Sequence, residues 1–147
     1  MVSKACIPVL KKSTNAHILN LSPPLSLDMK WFAPHLAYTL SKFNMTMIAL
    51  GLAAELKKYN IAANTLWPRT TIATAAVKNL LGGEMLMNMS RTTDIIADAA
   101  FYILDKPSTT CTGNSFIDEQ VLAAEGITDL SKYSVVPGAQ LYNDLFV

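Results

Sequence analysis

Two short apolar runs, Ala16 to Leu21 and Ile61 to Trp67, flank a long stretch rich in Ala, Leu and Met, and this order constrains the chain more than any other feature. Ser22-Pro23-Pro24 stops the first run and Pro68 closes the second. Short apolar runs bounded by turn residues read as strands buried on both faces, as in a parallel sheet. Parallel neighbours need a crossover of a dozen residues or more, usually helical. His35 to Tyr59 supplies one, with Pro34 placed for a first helical turn. It is apolar on more than one face, which predicts packing on two sides.

The rest of the chain repeats the theme. Ser3 to Lys12 reads as the last turns of a helix with Pro8 out of place inside it. Leu25 to Ala33 is loop, with Trp31 and Phe32 as anchors. A polar, Thr-rich loop from Arg69 to Thr74 leads to a short helix, Ala75 to Leu81, ended by Gly82-Gly83. Glu84 to Ser90 is Met-rich and adaptable. Thr93 or Asp94 caps a helix to Leu104. Asn114 to Ile117 is a third strand, followed by Asp118-Glu119, and Val121 to Glu125 reads as one helical turn ending at Gly126. Strand, helix, strand, helix, helix, strand with apolar strands predicts an α/β fold on a parallel sheet. Ligands in such sheets bind beyond the carboxyl ends of the strands, here Ser22, Pro68 to Thr74 and Asp118.

Composition narrows the function classes. The chain is 51% hydrophobic and 16% charged, with a mean hydropathy of +0.28, yet no run reaches the roughly 18 apolar residues needed to span a bilayer. A buried sheet accounts for the apolar excess. A net charge of +1 gives no electrostatic case for nucleic acid. Lys4, Lys11 and Lys12 make a basic start without the apolar core of a secretory signal. Cys6 and Cys111 read as reduced, buried thiols in an intracellular compartment. His17 and His35 belong to no ligand-spaced cluster, so no metal site is expected.

The chemistry lies in the long helix. Tyr38 and Lys42 in His35-Leu36-Ala37-Tyr38-Thr39-Leu40-Ser41-Lys42 are four residues apart and rise from one helix face as neighbours. An ordinary Tyr, with a pKa of about 10, exchanges protons poorly at neutrality. A nearby cation favours phenolate and makes the phenol an acid/base. The pair alone is weak, since chance supplies it in about one such chain in three. Order adds weight: an apolar strand ending in Asn20-Leu21-Ser22 precedes the Tyr/Lys helix, and a second strand ending in Pro follows it.

These residues resemble the short-chain dehydrogenase/reductase family, whose Ser after a central strand and Tyr-x-x-x-Lys on the next helix form the catalytic group. The resemblance assigns Tyr38 the proton transfer, Lys42 the ribose hydroxyls and the depressed phenol pKa, and Ser22 the orientation of the substrate oxygen. Asn64 and Pro68 resemble its Asn-x-x-x-Pro-Gly segment, and Thr112-Gly113 with Phe116-Ile117-Asp118 its last strand. The implied cofactor is NADP, contacted by Lys42, Asn20, Pro68, Thr71 and Thr74. The implied substrate is a hydroxyl or carbonyl of a lipid-like molecule, with Trp31, Phe32, Met85, Leu86 and Met87 as its apolar wall, although core filling is the favoured reading of those five. Family habit also implies a homo-oligomer through helix 35–59 and a peroxisomal or mitochondrial location. Asp144-Leu145-Phe146-Val147 is no peroxisomal address.

Departures from the pattern set further expectations. No Gly-x-x-x-Gly-x-Gly turn is present to cradle a pyrophosphate on a helix N-terminus. The chain therefore reads as the C-terminal half of a Rossmann-type parallel sheet flanked by helices, with the N-terminal phosphate-binding half missing. Met1 would be an internal start, a splice product or an incomplete gene model. Residues 1–126 are the partial dehydrogenase domain and 127–147 an irregular extension. Ser22 stands sixteen positions before Tyr38, more than is usual, with Pro23 next to it and Ser26 as the substitute by distance. Arg69 replaces the usual Gly after Pro68. A non-catalytic fragment acting as an association module is the alternative. A Ser hydrolase ranks below both, for want of a Gly-x-Ser-x-Gly turn.

Overall fold

The computed structural model describes Val2–Val147, which form two compact units. The first comprises the chain up to Trp67 with Ile103–Phe116, and the second Pro68–Tyr102 with Ile117–Val147. Eight named elements run through them: α1 (Val2–Leu10), β1 (Ala16–Leu21), α2 (Leu36–Leu56), β2 (Ile61–Trp67), α3 (Gly83–Asn88), α4 (Asp94–Asp105), β3 (Ser115–Ile117) and α5 (Asp118–Ala124). The fold is α/β, a three-stranded parallel sheet in the order β1-β2-β3 flanked by helices.

In the first unit, β1 and β2 pair in parallel from Ala16↔Ile61 to Leu21↔Leu66. Every residue of β2 is buried, as a central strand covered on both faces requires. Ala62 and Ala63 are wholly inaccessible, one on each face of the strand, and α2 packs against β2. Ala16, Leu56 and Ile61 form a core cluster on which Ile7, Leu10, Ile18 and Leu52 pack, so α1 covers the start of the sheet. Burying a Leu or Ile there stabilises by about 1.5–3 kcal/mol each. After Leu56 the crossover tightens into a 3-10 turn, Lys57–Tyr59, and ends at Asn60 with φ 56°, a left-handed position that Asn tolerates.

The crossover helix differs from expectation in one respect. It buries Thr39, Phe43, Thr46, Ala49, Ala53 and Leu56, a single stripe at three- and four-residue steps. The adjacent apolar face, with Leu36, Leu40, Met47 and Leu50, is exposed, so α2 is packed on one side among the described residues. Cys6 is also exposed, because α1 turns Ile7 and Leu10 inward instead, whereas Cys111 is buried as expected.

In the second unit, residues 75–81 form a helical turn that widens into a π-type turn over Val77–Leu81 and stops at Gly82 and Gly83. Gly83 has φ 59°, and a Cβ on Gly82 would collide with Leu86, so both glycines are needed for the chain to re-enter α3. α5 starts at Asp118, earlier than the single turn expected from Val121, since the acids Asp118 and Glu119 favour a helix N-terminus. Ile127 onward has one 3-10 turn and isolated bridges to neighbouring loops. No helix among the described residues is long and apolar enough to cross a membrane.

Candidate active site

Sheet register and helix period together place the first group of residues. Because Leu21 pairs with Leu66, Ser22 follows β1 where Trp67 completes β2. α2 then carries Tyr38, Lys42 and Thr46 at successive four-residue steps. The Lys42 ammonium donates to the Leu21 carbonyl oxygen at 3.2 Å. It lies 6.0 Å from the Tyr38 ring centroid and 5.1 Å from that of Trp67. Both distances fall within the range where a cation is attracted to an aromatic face. Tyr38 is 43% exposed.

Ser22 sits differently. It is fully buried. Thr46 Oγ1 donates to the Pro23 carbonyl oxygen at 2.7 Å and lies 2.8 Å from Ser22 Oγ. A hydroxyl holds one hydrogen, so the three oxygens form a closed set. Ser26 is half-buried, and its Oγ accepts from the Asp28 amide at 3.2 Å. Asn20 Nδ2 donates to the Met45 carbonyl at 3.3 Å, which ties β1 to the middle of α2. Thr46→Val would leave Ser22 Oγ and the Pro23 carbonyl short of a partner in a dry site. A loss of about 1–3 kcal/mol in urea unfolding is expected. Combined with Ser22→Ala, a coupling of about 1 kcal/mol should appear, and strict additivity would show that the contact carries no energy.

The Pro68–Thr74 loop belongs to the second unit, where it is held from both sides. Arg69 N donates to Asp118 Oδ1 at 2.8 Å, and Asp144 N donates to the Arg69 carbonyl at 3.1 Å. Thr71 N donates to Tyr142 O, Arg91 N to Thr71 O and Ala73 N to Arg91 O, all within 3.0 Å. The Thr71 hydroxyl is 2.8 Å from Ser90 Oγ, which itself donates to Leu86 O. Thr71 is thus buried and engaged, whereas Thr74 is half-buried, with Oγ1 accepting from Val77 N at 3.4 Å. Arg91 also pairs with Glu119. Burial is the main influence on the Asp118 carboxyl and pushes it above the usual range, against hydrogen bonds from Arg69 N and Glu119 N.

Other titratable groups are structural. Tyr59, in the 3-10 turn after α2, is lowered chiefly by its hydrogen bond with Lys11, but it is a surface pair. Desolvation raises the Cys111 thiol. Asn64 spends its side chain on the Cys111 carbonyl and on Asn114, where it anchors the entry to β3. No group of His, Cys, Asp and Glu among the described residues is arranged to hold a metal ion.

No family model matches the chain. A curated relative from Xenopus tropicalis, hydroxysteroid dehydrogenase-like protein 2, is 54% identical over all 147 residues, which cover 34% of its length. The crystal structure of a short chain dehydrogenase from Mycobacterium thermoresistibile superposes with a TM-score of 0.89 at 53% identity, over 99% of this chain and 51% of its own. Over its whole length the chain resembles proteins of the short-chain dehydrogenase/reductase family. It spans about a third of the length of the curated relatives and half that of the solved dehydrogenase. A 3-oxoacyl-[acyl-carrier protein] reductase from Brucella melitensis, solved with bound NAD, shares the fold at 24% identity and a TM-score of 0.57, over 79% of this chain and 44% of its own.

In this chain the structure brings Tyr38 and Lys42 together on α2, with Lys42 reaching the strand end that precedes Ser22. Pro68, Thr71 and Thr74 lie in the other unit. Of the apolar wall residues, Phe32 packs edge-on against Phe43 at 5.8 Å, and Met85 is 72% exposed. Sequence reasoning missed two residues, Thr46 as the partner of Ser22 and Trp67 as a neighbour of Lys42. Thr46 was findable as the next four-residue step after Lys42. Trp67 was findable as a large aromatic at the carboxyl end of a buried strand.

Proposed function

We propose that this chain carries the proton-transfer group of an NADP-dependent oxidoreductase acting on a hydroxyl or carbonyl of a lipid-like substrate. The observation behind this reading is the Lys42 ammonium, tethered to Leu21 O beside the Tyr38 ring on a phenol-bearing helix face. An ammonium donates in three directions, which suits a pair of ribose hydroxyls as well as a backbone carbonyl. When bound, the nicotinamide supplies the hydride. The chain's own part is to hold a proton at Tyr38 Oη and give it to the substrate oxygen, or take it back, with the Lys42 charge favouring the phenolate. Ser22 fixes the loop at the end of β1 through Thr46, with Ser26 the substitute for orienting the substrate oxygen. Asn20 locks β1 to α2 beneath the pair. Pro68, Thr71 and Thr74 keep the cofactor contacts implied by the family resemblance, and Thr74, the more accessible threonine, is the better candidate.

Titration of the purified chain with NADPH tests the reading. Saturable binding is expected, and Lys42→Ala should weaken it about tenfold or more, the value of a hydrogen bond from a charged group. A second reading, a non-catalytic association module, draws on the exposed Leu36, Leu40, Met47 and Leu50. It would be supported by concentration-dependent self-association without NADPH binding. If both occur, the same face of α2 serves a homo-oligomer of the enzyme.

A further inference from the structure

We propose that Trp67 is a positioning residue for Lys42, holding its ammonium over the indole face so that the charge stays beside Tyr38. This rests on the reading of Tyr38 and Lys42 as the proton-transfer pair, but its geometry stands separately. Lysine has a flexible four-carbon stem and loses about 2 kcal/mol of rotamer freedom when fixed. A single hydrogen bond is worth about 0.5–1.5 kcal/mol and does not hold such a chain in one place. The structure supplies more than one. The Lys42 ammonium donates to Leu21 O at 3.2 Å and lies over the Trp67 ring, 5.1 Å from its centroid. The carbonyl gives direction, and the indole quadrupole gives a broad attraction that survives small displacements.

Trp67 is well built for this. It is the last residue of β2, 5% exposed, in a strand buried throughout. Its backbone position is fixed by the sheet and its ring by the surrounding core. A buried ring attracts a cation more strongly than an exposed one, because less water competes. Among the aromatic side chains Trp offers the strongest face, so a strand-end Trp next to the catalytic helix provides more than bulk. Core filling alone would make Trp67 replaceable by an aliphatic residue without consequence for Lys42.

The test uses the full chain with carbon-13-labelled lysine, the Lys42 signal being assigned by its loss in Lys42→Arg. The ring current should displace the Lys42 ε-methylene signals upfield in the wild type. Measured in a Tyr38→Leu background, which removes the other nearby ring, Trp67→Phe should retain part of the displacement and Trp67→Leu should abolish it, with circular dichroism checking the fold. Trp67→Met serves in the same role if the Leu variant unfolds. An undisplaced wild-type signal, or one that persists without the aromatic ring, would overturn the proposal. In NADPH titration, Trp67→Leu or Trp67→Met should bind about two- to thirty-fold more weakly and Trp67→Phe within about threefold of wild type. Wild-type affinity in the aliphatic variants would also overturn it. If the wild type binds no NADPH, the enzymatic reading fails, and the lysine spectra still decide whether Trp67 holds Lys42.

Discussion

Under the proposed proton-transfer role, putting Phe in place of Tyr38 should lower NADPH-dependent carbonyl reduction by about two to four orders of magnitude, the range contributed by a positioned general acid. The change removes one oxygen from a side chain that is 43% exposed, so it leaves the core untouched. Urea unfolding should move by less than about 0.5 kcal/mol, as for surface substitutions generally. Lys42 keeps its tether to Leu21 O and its approach to Trp67, neither of which involves the phenol oxygen. NADPH affinity should therefore change less than about threefold, and the loss should appear in kcat. Lys42→Ala should behave oppositely in one respect, weakening NADPH binding as well as turnover. Measured side by side in steady-state assays, the two variants separate a proton-transfer role from a binding role. Normal turnover of Tyr38→Phe would end the assignment.

How far the sequence revealed this arrangement depended on the kind of contact involved. β1 and β2 were legible to the residue, because apolar runs closed by Ser-Pro-Pro and by Pro carry both the period and the stop in the chain itself. The Tyr38–Lys42 neighbourhood followed from helix period alone. Contacts between elements were less legible. Composition marked α2 as apolar on more than one face, but it did not tell which face meets the strands; that depends on register, which buries Thr39 and Thr46 and leaves Leu36 and Leu40 outside. A Thr in a buried stripe reads as polar until its partner is known, and the partner, Ser22, lies 24 residues away. The residues from 127 onward carry no period. Their order comes from backbone bonds such as Tyr142 O to Thr71 N, which side-chain patterns do not announce.

Asp118→Ala should be the most destabilising single change in the second unit, at about 2–4 kcal/mol, because two backbone N–H groups lose their acceptor in or near a dry site. Asp118 is fully buried, and its Oδ1 accepts from Arg69 N at 2.8 Å and Glu119 N at 2.7 Å. It thereby starts both the Pro68–Thr74 loop and α5. Its Oδ2 is buried with no hydrogen-bond partner among the described residues. Desolvation of the buried carboxyl outweighs the two amide bonds and the Arg91 charge, with Glu119 adding to the rise, so the folded-state pKa stands above that of an ordinary Asp. The folded protein then binds this proton more tightly than the unfolded chain does. Its stabilising contribution is largest below the unfolded pKa and declines as pH rises from there through the folded pKa. A salt-bridged carboxylate with a depressed pKa behaves in the opposite way. The wild-type advantage over Asp118→Ala should therefore grow as pH is lowered from neutrality. Asp118→Asn keeps an oxygen for both amides without a charge to desolvate, so its stability should lack this pH-dependent component. Urea unfolding of the three proteins across the acid range measures both differences. A wild-type advantage that shrank on acidification would mean that the carboxylate is stabilised by Arg91 more than it is penalised by burial.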